Sequence, residues 1–180
     1  MIIKTKFKDL YLVKNKAFFD KRGYFKELVR ENIIKKKFPF HVMSYSKKNV
    51  LRGLHLQTKK PQAKFITVIK GRIFDVAVDL RKKSKTYKKV YTSILSEKNS
   101  KSIFVPAGFA HGFLSLDKEN FITYSCDQYR NKKSELTINY DDKDLKINRP
   151  EKKIILSNKD KFGISISEFE KMKIWKIKFW

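Results

Sequence analysis

A chain of 180 residues with 41% hydrophobic and 14% aromatic side chains can bury one substantial core, which excludes a disordered chain and makes residues 1–180 read as a single domain. Its one cysteine, Cys126, excludes an internal disulfide, there is no run of the ~18 apolar residues a membrane helix needs, and residues 1–10 lack the apolar run of a signal peptide, so a cytoplasmic protein is expected. The net charge of +25 comes mostly from lysine pairs at expected turns, such as Lys47-Lys48, Lys82-Lys83 and Lys132-Lys133, with no amphipathic basic face; it reads as a solvated surface that attracts small anions, with neither nucleic acid nor membrane as a partner.

Residues 2–7 and 10–18 read as short strands split by Lys8-Asp9. A turn over residues 20–23 leads into a strand over 24–29. Residues 30–38 are the one moderately helical piece of the first half, ended by Pro39. From His41 the pattern turns β. Residues 41–46 and 50–57 are strands about a Lys-Lys-Asn turn, and 65–69 with 72–80 read as a hairpin about Lys70-Gly71. In the latter, Phe74, Val76, Val78 and Leu80 alternate with Asp75, Ala77 and Asp79. Strands follow at 87–95 and 102–105, then a second hairpin of 111–116 with 121–129, then a strand at 135–140. Residues 168–174 have helical spacing, with Ser165 or Ser167 as cap and Glu168 and Glu170 in the first turn. Many short strands with turn signals between them predict an all-β antiparallel sandwich or barrel, its few short helices mainly C-terminal. No strand, Gly-rich loop and helix follow one another, which argues against a Rossmann or P-loop site.

Two stretches hold two of the three histidines: Leu51-Arg52-Gly53-Leu54-His55-Leu56-Gln57 and Pro106-Ala107-Gly108-Phe109-Ala110-His111. A titratable ring in such apolar surroundings needs a hydrogen-bond partner or a task. Taken singly, a histidine in a β-rich chain is more often structural, Tyr124 and Tyr129 are strand residues, and Arg22 with Glu27 is a cross-strand charge pair. His41 has no such context and reads as a surface residue. Pro-x-Gly-x-x-His has the form of the second motif of cupins, small jelly-roll barrels that often hold a metal. Where their first motif gives His-x-His, this chain has His55-Leu56-Gln57. Glutamine is a poor ligand for zinc or iron, so no metal is expected.

The whole pattern resembles the dTDP-4-dehydrorhamnose 3,5-epimerase family, a metal-free cupin-type group. The matching pieces run in order from Phe19-Asp20-Lys21-Arg22-Gly23-Tyr24-Phe25-Lys26-Glu27, through Gln62-Ala63-Lys64, Asp75-Val76-Ala77-Val78-Asp79-Leu80-Arg81, Tyr124 and Tyr129, to Leu156-Ser157-Asn158-Lys159-Asp160. Asn49 stands where the family commonly has glycine. The resemblance implies a cupin-like jelly roll, no cofactor, a nucleotide-linked keto sugar as substrate (dTDP-linked first, GDP-linked as the alternative) and a homodimer that completes the nucleotide site. It implies His55 as base, Asp160 as its carboxylate, Tyr124 as the opposing acid and Lys64 as enolate stabiliser. Arg22, Phe25, Glu27, Arg52, Gln57, His111, Tyr129 and Glu135 fall to substrate binding, Arg52 on the diphosphate. The chemistry agrees: epimerising a carbon beside a ketone needs a base, an acid on the other face and a donor for the enolate oxygen. Sister enzymes that invert only one carbon would use the same base and acid. A non-catalytic sugar-nucleotide-binding barrel is the rival of another class.

Overall fold

The computed structural model describes residues 1–172. In chain order the strands are β1 (Ile2–Lys4), β2 (Tyr11–Lys14), β3 (Ala17–Asp20), β4 (Gly23–Lys26), β5 (Phe40–Lys47), β6 (Leu51–Gln57), β7 (Lys64–Lys70), β8 (Arg72–Asp79), β9 (Val90–Ser96), β10 (Lys101–Val105), β11 (Phe109–Ser115), β12 (Glu119–Cys126) and β13 (Glu135–Thr137). Three short helices join them: α1 (Glu31–Ile34), α2 (Asn158–Lys161) and α3 (Ile166–Lys171). The strands build a six-stranded sheet in the order β1-β2-β10-β7-β12-β5 and a five-stranded sheet in the order β13-β6-β11-β8-β9. All their pairings are antiparallel. β3 and β4 form a separate two-stranded ribbon.

The two large sheets pack face to face. Ile66, Ile103 and Ile122 of the first meet Ile73, Ala77 and Phe113 of the second. A second apolar layer lies on the outer side of the five-stranded sheet, where Val76, Val78 and Leu80 are covered by Ile138, Leu145, Ile166 and Phe169. β8 is therefore buried on both faces, and its alternation separates two interiors rather than core from solvent. The apolar set packs under the C-terminal segment, while Asp75 and Ala77 face the space between the sheets. Ser165 caps α3, its hydroxyl accepting from the Glu168 N–H at 3.1 Å while the Glu168 carboxylate accepts from the Ser165 N–H at 2.7 Å. That capping box fixes the helix that buries Ile166 and Phe169, each worth about 1.5–3 kcal/mol of apolar burial. The helical spacing expected to run to Ile174 passes beyond Met172 and so outside the described residues, as does the rest of the aromatic tail.

Both expected long hairpins are corrected. β7 and β8 do not pair: β7 lies between β10 and β12, and β8 between β11 and β9. β11 and β12 likewise belong to different sheets. The chain turns a corner between the layers at each connection. At the first corner Gly71 has φ +85°, and a Cβ there would meet Asn120 Oδ1 at 2.7 Å. A glycine turn looks the same in sequence whether it closes a hairpin or changes sheet. The strand expected over residues 10–18 is broken at Asn15-Lys16, where the Asn15 N–H bonds the Ser100 carbonyl at 2.9 Å. Asn49 adopts φ +65°, a conformation asparagine tolerates better than most side chains, which explains how it serves in place of glycine.

Candidate active site

β6 carries Arg52 and His55 three residues apart, a spacing that in a regular strand sends them to opposite faces. The register cancels this. His111 lies opposite His55, and Phe113 opposite Arg52, so three steps on β6 match two on β11. This bulge returns both functional side chains to the face between the sheets. Two glycines allow it. Gly53 has φ +109°, and a Cβ on it would sit 2.6 Å from Gly112 Cα; one on Gly112 would strike the Arg52 carbonyl.

His55 Nε2 donates to Asp160 Oδ1 at 2.7 Å. The other carboxylate oxygen accepts from Ser157 Oγ at 2.8 Å, and that hydroxyl also caps α2 by accepting the Asp160 N–H at 3.2 Å. Burial pushes the Asp160 carboxyl up, but the hydrogen bonds from His55 and Ser157 outweigh it and hold the group below its ordinary value. Burial pushes the His55 imidazole down, and the attraction of Asp160 only partly restores it. Because Nε2 is committed to the carboxylate, the lone pair is on Nδ1. The ring is a neutral base with its orientation fixed.

From the other sheet, Tyr124 presents its hydroxyl on the inner face of β12, 3.0 Å from Ser44 Oγ on β5. Burial raises its pKa well above the usual phenol value, so it keeps its proton. Lys64 opens β7 opposite Cys126, and burial pushes its ammonium down, opposed by Cys126 and Glu135. Arg52 spans toward β5, donating to Ser46 Oγ and the Tyr45 carbonyl, each at 2.9 Å. His111 Nε2 meets Asp75 Oδ2 at 2.8 Å, fully enclosed. His55, His111, Asp160, Tyr124, Lys64 and Arg52 are thus gathered by the two sheets and α2.

Other expected site residues stand differently. Gln57 spends its amide on the loops: Nε2 donates to the Lys60 carbonyl at 2.6 Å and the Tyr129 carbonyl at 3.3 Å, and Oε1 accepts from the Asn131 N–H at 2.8 Å. Tyr129 itself is exposed, its ring 5.6 Å from that of Phe40. Glu135 binds Arg130 and Lys159. Arg22 and Glu27 do not form the cross-strand pair expected of them alone, because Arg22 turns back on Asp20 at 2.8 Å and Glu27 meets Arg30 at 3.7 Å. Phe25 is exposed on the same ribbon. His41 is exposed and touches Ser125 Oγ at 2.9 Å. Ser44 and Arg130 carry no sequence pattern of their own, and Ser157 and Lys159 lie in the matched stretch before Asp160 without an implied role. Asp75 alternates with apolar residues along β8, a pattern that does not separate a solvent face from a second interior. Among the described residues no three His, Cys, Asp or Glu side chains converge as a metal-binding group, and no helix is long and apolar enough to cross a membrane.

Two packed antiparallel sheets enclose a histidine–carboxylate dyad, a protonated tyrosine and a buried lysine, groups that can take a proton, return one and hold a developing oxyanion. A family model described as dTDP-4-dehydrorhamnose 3,5-epimerase matches residues 4–168. The chain belongs to that family. The dTDP-4-dehydrorhamnose 3,5-epimerase of Methanothermobacter thermautotrophicus is 40% identical over 167 residues, which cover 88% of this chain and 90% of that one. The crystal structure of the Legionella pneumophila dTDP-6-deoxy-D-glucose-3,5-epimerase, in complex with dTDP-4-keto-L-rhamnose, matches with a TM-score of 0.91 and 34% identity over 97% of this chain and 96% of that one. That of the Bacillus anthracis dTDP-4-dehydrorhamnose 3,5-epimerase, with TDP and PPi bound, gives 0.88 and 36% over 92% of this chain and 99% of that one.

Proposed function

We propose that this chain inverts C3 and C5 of dTDP-4-dehydro-6-deoxy-D-glucose, giving dTDP-4-dehydro-L-rhamnose, as a cytoplasmic homodimer. The observation that carries the reading is the 2.7 Å His55–Asp160 bond, which leaves Nδ1 as the only basic nitrogen of a ring presented to the space between the two sheets, the cup of the proposed site. At each carbon, Nδ1 removes the proton beside the ketone and Lys64 holds the developing enolate oxygen. Tyr124, from the opposite sheet, returns a proton to the other face. Asp160 stabilises the imidazolium that forms. Arg52 takes the diphosphate by charge-assisted hydrogen bonds.

The dimer is supported by the β3–β4 ribbon, which exposes Phe18 with Phe25 on one face and Phe19 with Tyr24 on the other. Such faces call for a cover. Arg22 and Phe25 are exposed on this ribbon, which suits them to nucleotide binding in the site of a second copy. Sedimentation should give twice the chain mass. The activity is tested by mixing the protein with the keto sugar nucleotide in heavy water and following C3 and C5 by NMR. Deuterium entering both carbons with inversion is expected. No exchange on this sugar, with exchange on a GDP-linked one, would move the assignment to the latter.

A further inference from the structure

Inverting two carbons with one base creates a problem of proton return. This argument rests on His55 being that base. In the first inversion the C5–H bond breaks, the electron pair stays on the substrate as enolate, and the proton goes to His55 Nδ1. The Tyr124 O–H bond then breaks and its proton joins C5 on the other face. The protein is left with an imidazolium and a phenolate. Neither can act at C3 until His55 has lost a proton and Tyr124 has gained one from solvent.

The register of β13 on β6 sets Thr137 opposite His55 and Glu135 opposite Gln57, so Glu135 and His55 are diagonal neighbours on one face. Glu135 Oε2 takes two N–H bonds, from Arg130 Nε at 3.1 Å and Arg130 Nη2 at 2.8 Å, and an ion pair with Lys159 Nζ at 2.9 Å. Oε1 accepts none among the described residues and lies 3.9 Å from His55 Nδ1, the nitrogen that receives the substrate proton. This is longer than a hydrogen bond, and a shift of roughly 1 Å in either side chain makes it one. The Glu135 side chain is 12% exposed, while Arg130 and Lys159 beyond it are 49% and 42% exposed. Two cations therefore clamp one oxygen and aim the other at the base, on a line from the cup to solvent.

We infer that Glu135 is the proton relay that resets His55 between the two inversions. The imidazolium Nδ1–H bond breaks as the Oε1–H bond forms, and that proton then passes to water at the mouth, returning His55 and Glu135 to their starting charge; the Tyr124 phenolate takes its proton from solvent water separately. Glu135 acts through His55 and does not touch the reacting carbons. The competing roles are the substrate binding that the family resemblance implies, which would raise KM, and a purely positional one in which Glu135 only holds Arg130 and Lys159.

The test is Glu135→Gln in the full chain, with the dTDP-linked 4-keto-6-deoxy sugar in heavy water. At saturating sugar nucleotide, so that any weakening of the substrate binding expected of Glu135 is removed, deuterium should enter the first carbon in a single turnover with the base still intact, and with a smaller loss than steady-state turnover shows. Steady-state turnover should fall by about 10- to 100-fold, less than the ~10²–10⁴ lost with a primary acid or base. Singly inverted sugar should be released, since the intermediate leaves before the base is reset. Formate or acetate should restore turnover in proportion to its concentration, and Glu135→Asp should keep most of it. Wild-type turnover and product ratio in Glu135→Gln would overturn the relay. So would a loss of first-turnover exchange that neither formate nor Glu135→Asp restores, since that is the mark of a positional role. His55→Ala keeping exchange would instead overturn the base assignment itself.

Discussion

The cup contains two histidine–carboxylate pairs on facing residues of neighbouring strands, and only one is open. His55–Asp160 and His111–Asp75 have nearly equal bonds, 2.7 and 2.8 Å. The His55 side chain is 25% exposed, whereas those of His111 and Asp75 are 4% and 0%. Their carboxylates also differ in origin. Asp160 comes from a four-residue helix that follows the sheets, and Asp75 from the adjoining strand β8. A short bond to a carboxylate fixes a ring in either case. Access to solvent and an uncommitted nitrogen suit one ring to the proposed role of base, while enclosure suits the other to a brace between β8 and β11. Asp75 Oδ1 is buried without a hydrogen-bond partner among the described residues, so this brace carries a desolvation cost.

Removing the open ring should break the comparison most sharply. His55→Ala is expected to lower both deuterium exchange and inversion by ~10²–10⁴, about 3–5 kcal/mol in the barrier. Exchange at the wild-type rate would place the base elsewhere. Tyr124→Phe removes one hydroxyl and little volume; inversion should fall by about 10²-fold while deuterium still enters C5, because Nδ1 can return a proton to the face it came from. Inversion at the wild-type rate in that variant would take Tyr124 out of the mechanism.

The closed pair should answer in stability instead. Asp75→Asn loses a charge-assisted hydrogen bond in a sealed site and should cost about 2–3 kcal/mol, read from the denaturant midpoint at unchanged slope. Asp160→Asn should cost less stability than Asp75→Asn and far more activity. Equal stability losses would mean that exposure does not separate the two pairs.

The smallest effect is in pH. Burial holds the folded His55 below the ordinary imidazole value, near 6.5, so the base stays neutral further into acid and the acid limb of kcat/KM should fall below that value. The stability sign follows. As pH falls below ~6.5 the unfolded chain takes up this proton before the folded one, so the stability His55 contributes is present above that pH and lost as pH falls through its folded value. His55→Gln should flatten this part of the stability profile.

Strand positions were legible from residue 41 onward because β-branched and aromatic runs there are bounded by clear turns. Sheet membership was not, since Gly71 and the residue 117–120 turn signal a reversal without saying into which sheet. His55 and His111 stood out through their glycine-rich apolar context. Asp160 did not: 105 residues separate it from the ring it holds, and only the ordered motifs of a known family connected them. Asp75 was disguised by regular alternation, because a strand buried on both sides has no solvent face to betray a misplaced charge. The bulge at Gly53 was equally hidden, since the spacing of Arg52 and His55 argues against a shared face until the register on β11 is known.

The corners between sheets also bear on how the chain acquires its shape. Among neighbours in sequence only β1–β2, β3–β4, β8–β9 pair directly. β5, β6, β7, β11 and β12 all wait for partners brought from far along the chain, as β12 does for β5 and β10 for β2. Each such pairing closes a long loop before any contact rewards it. Folding should therefore be slow, on the millisecond-to-second scale of non-local β architectures. The His55–Asp160 pair should form late, since 105 residues separate its members and Asp160 reaches His55 only once β6 and the segment after β13 are both in place.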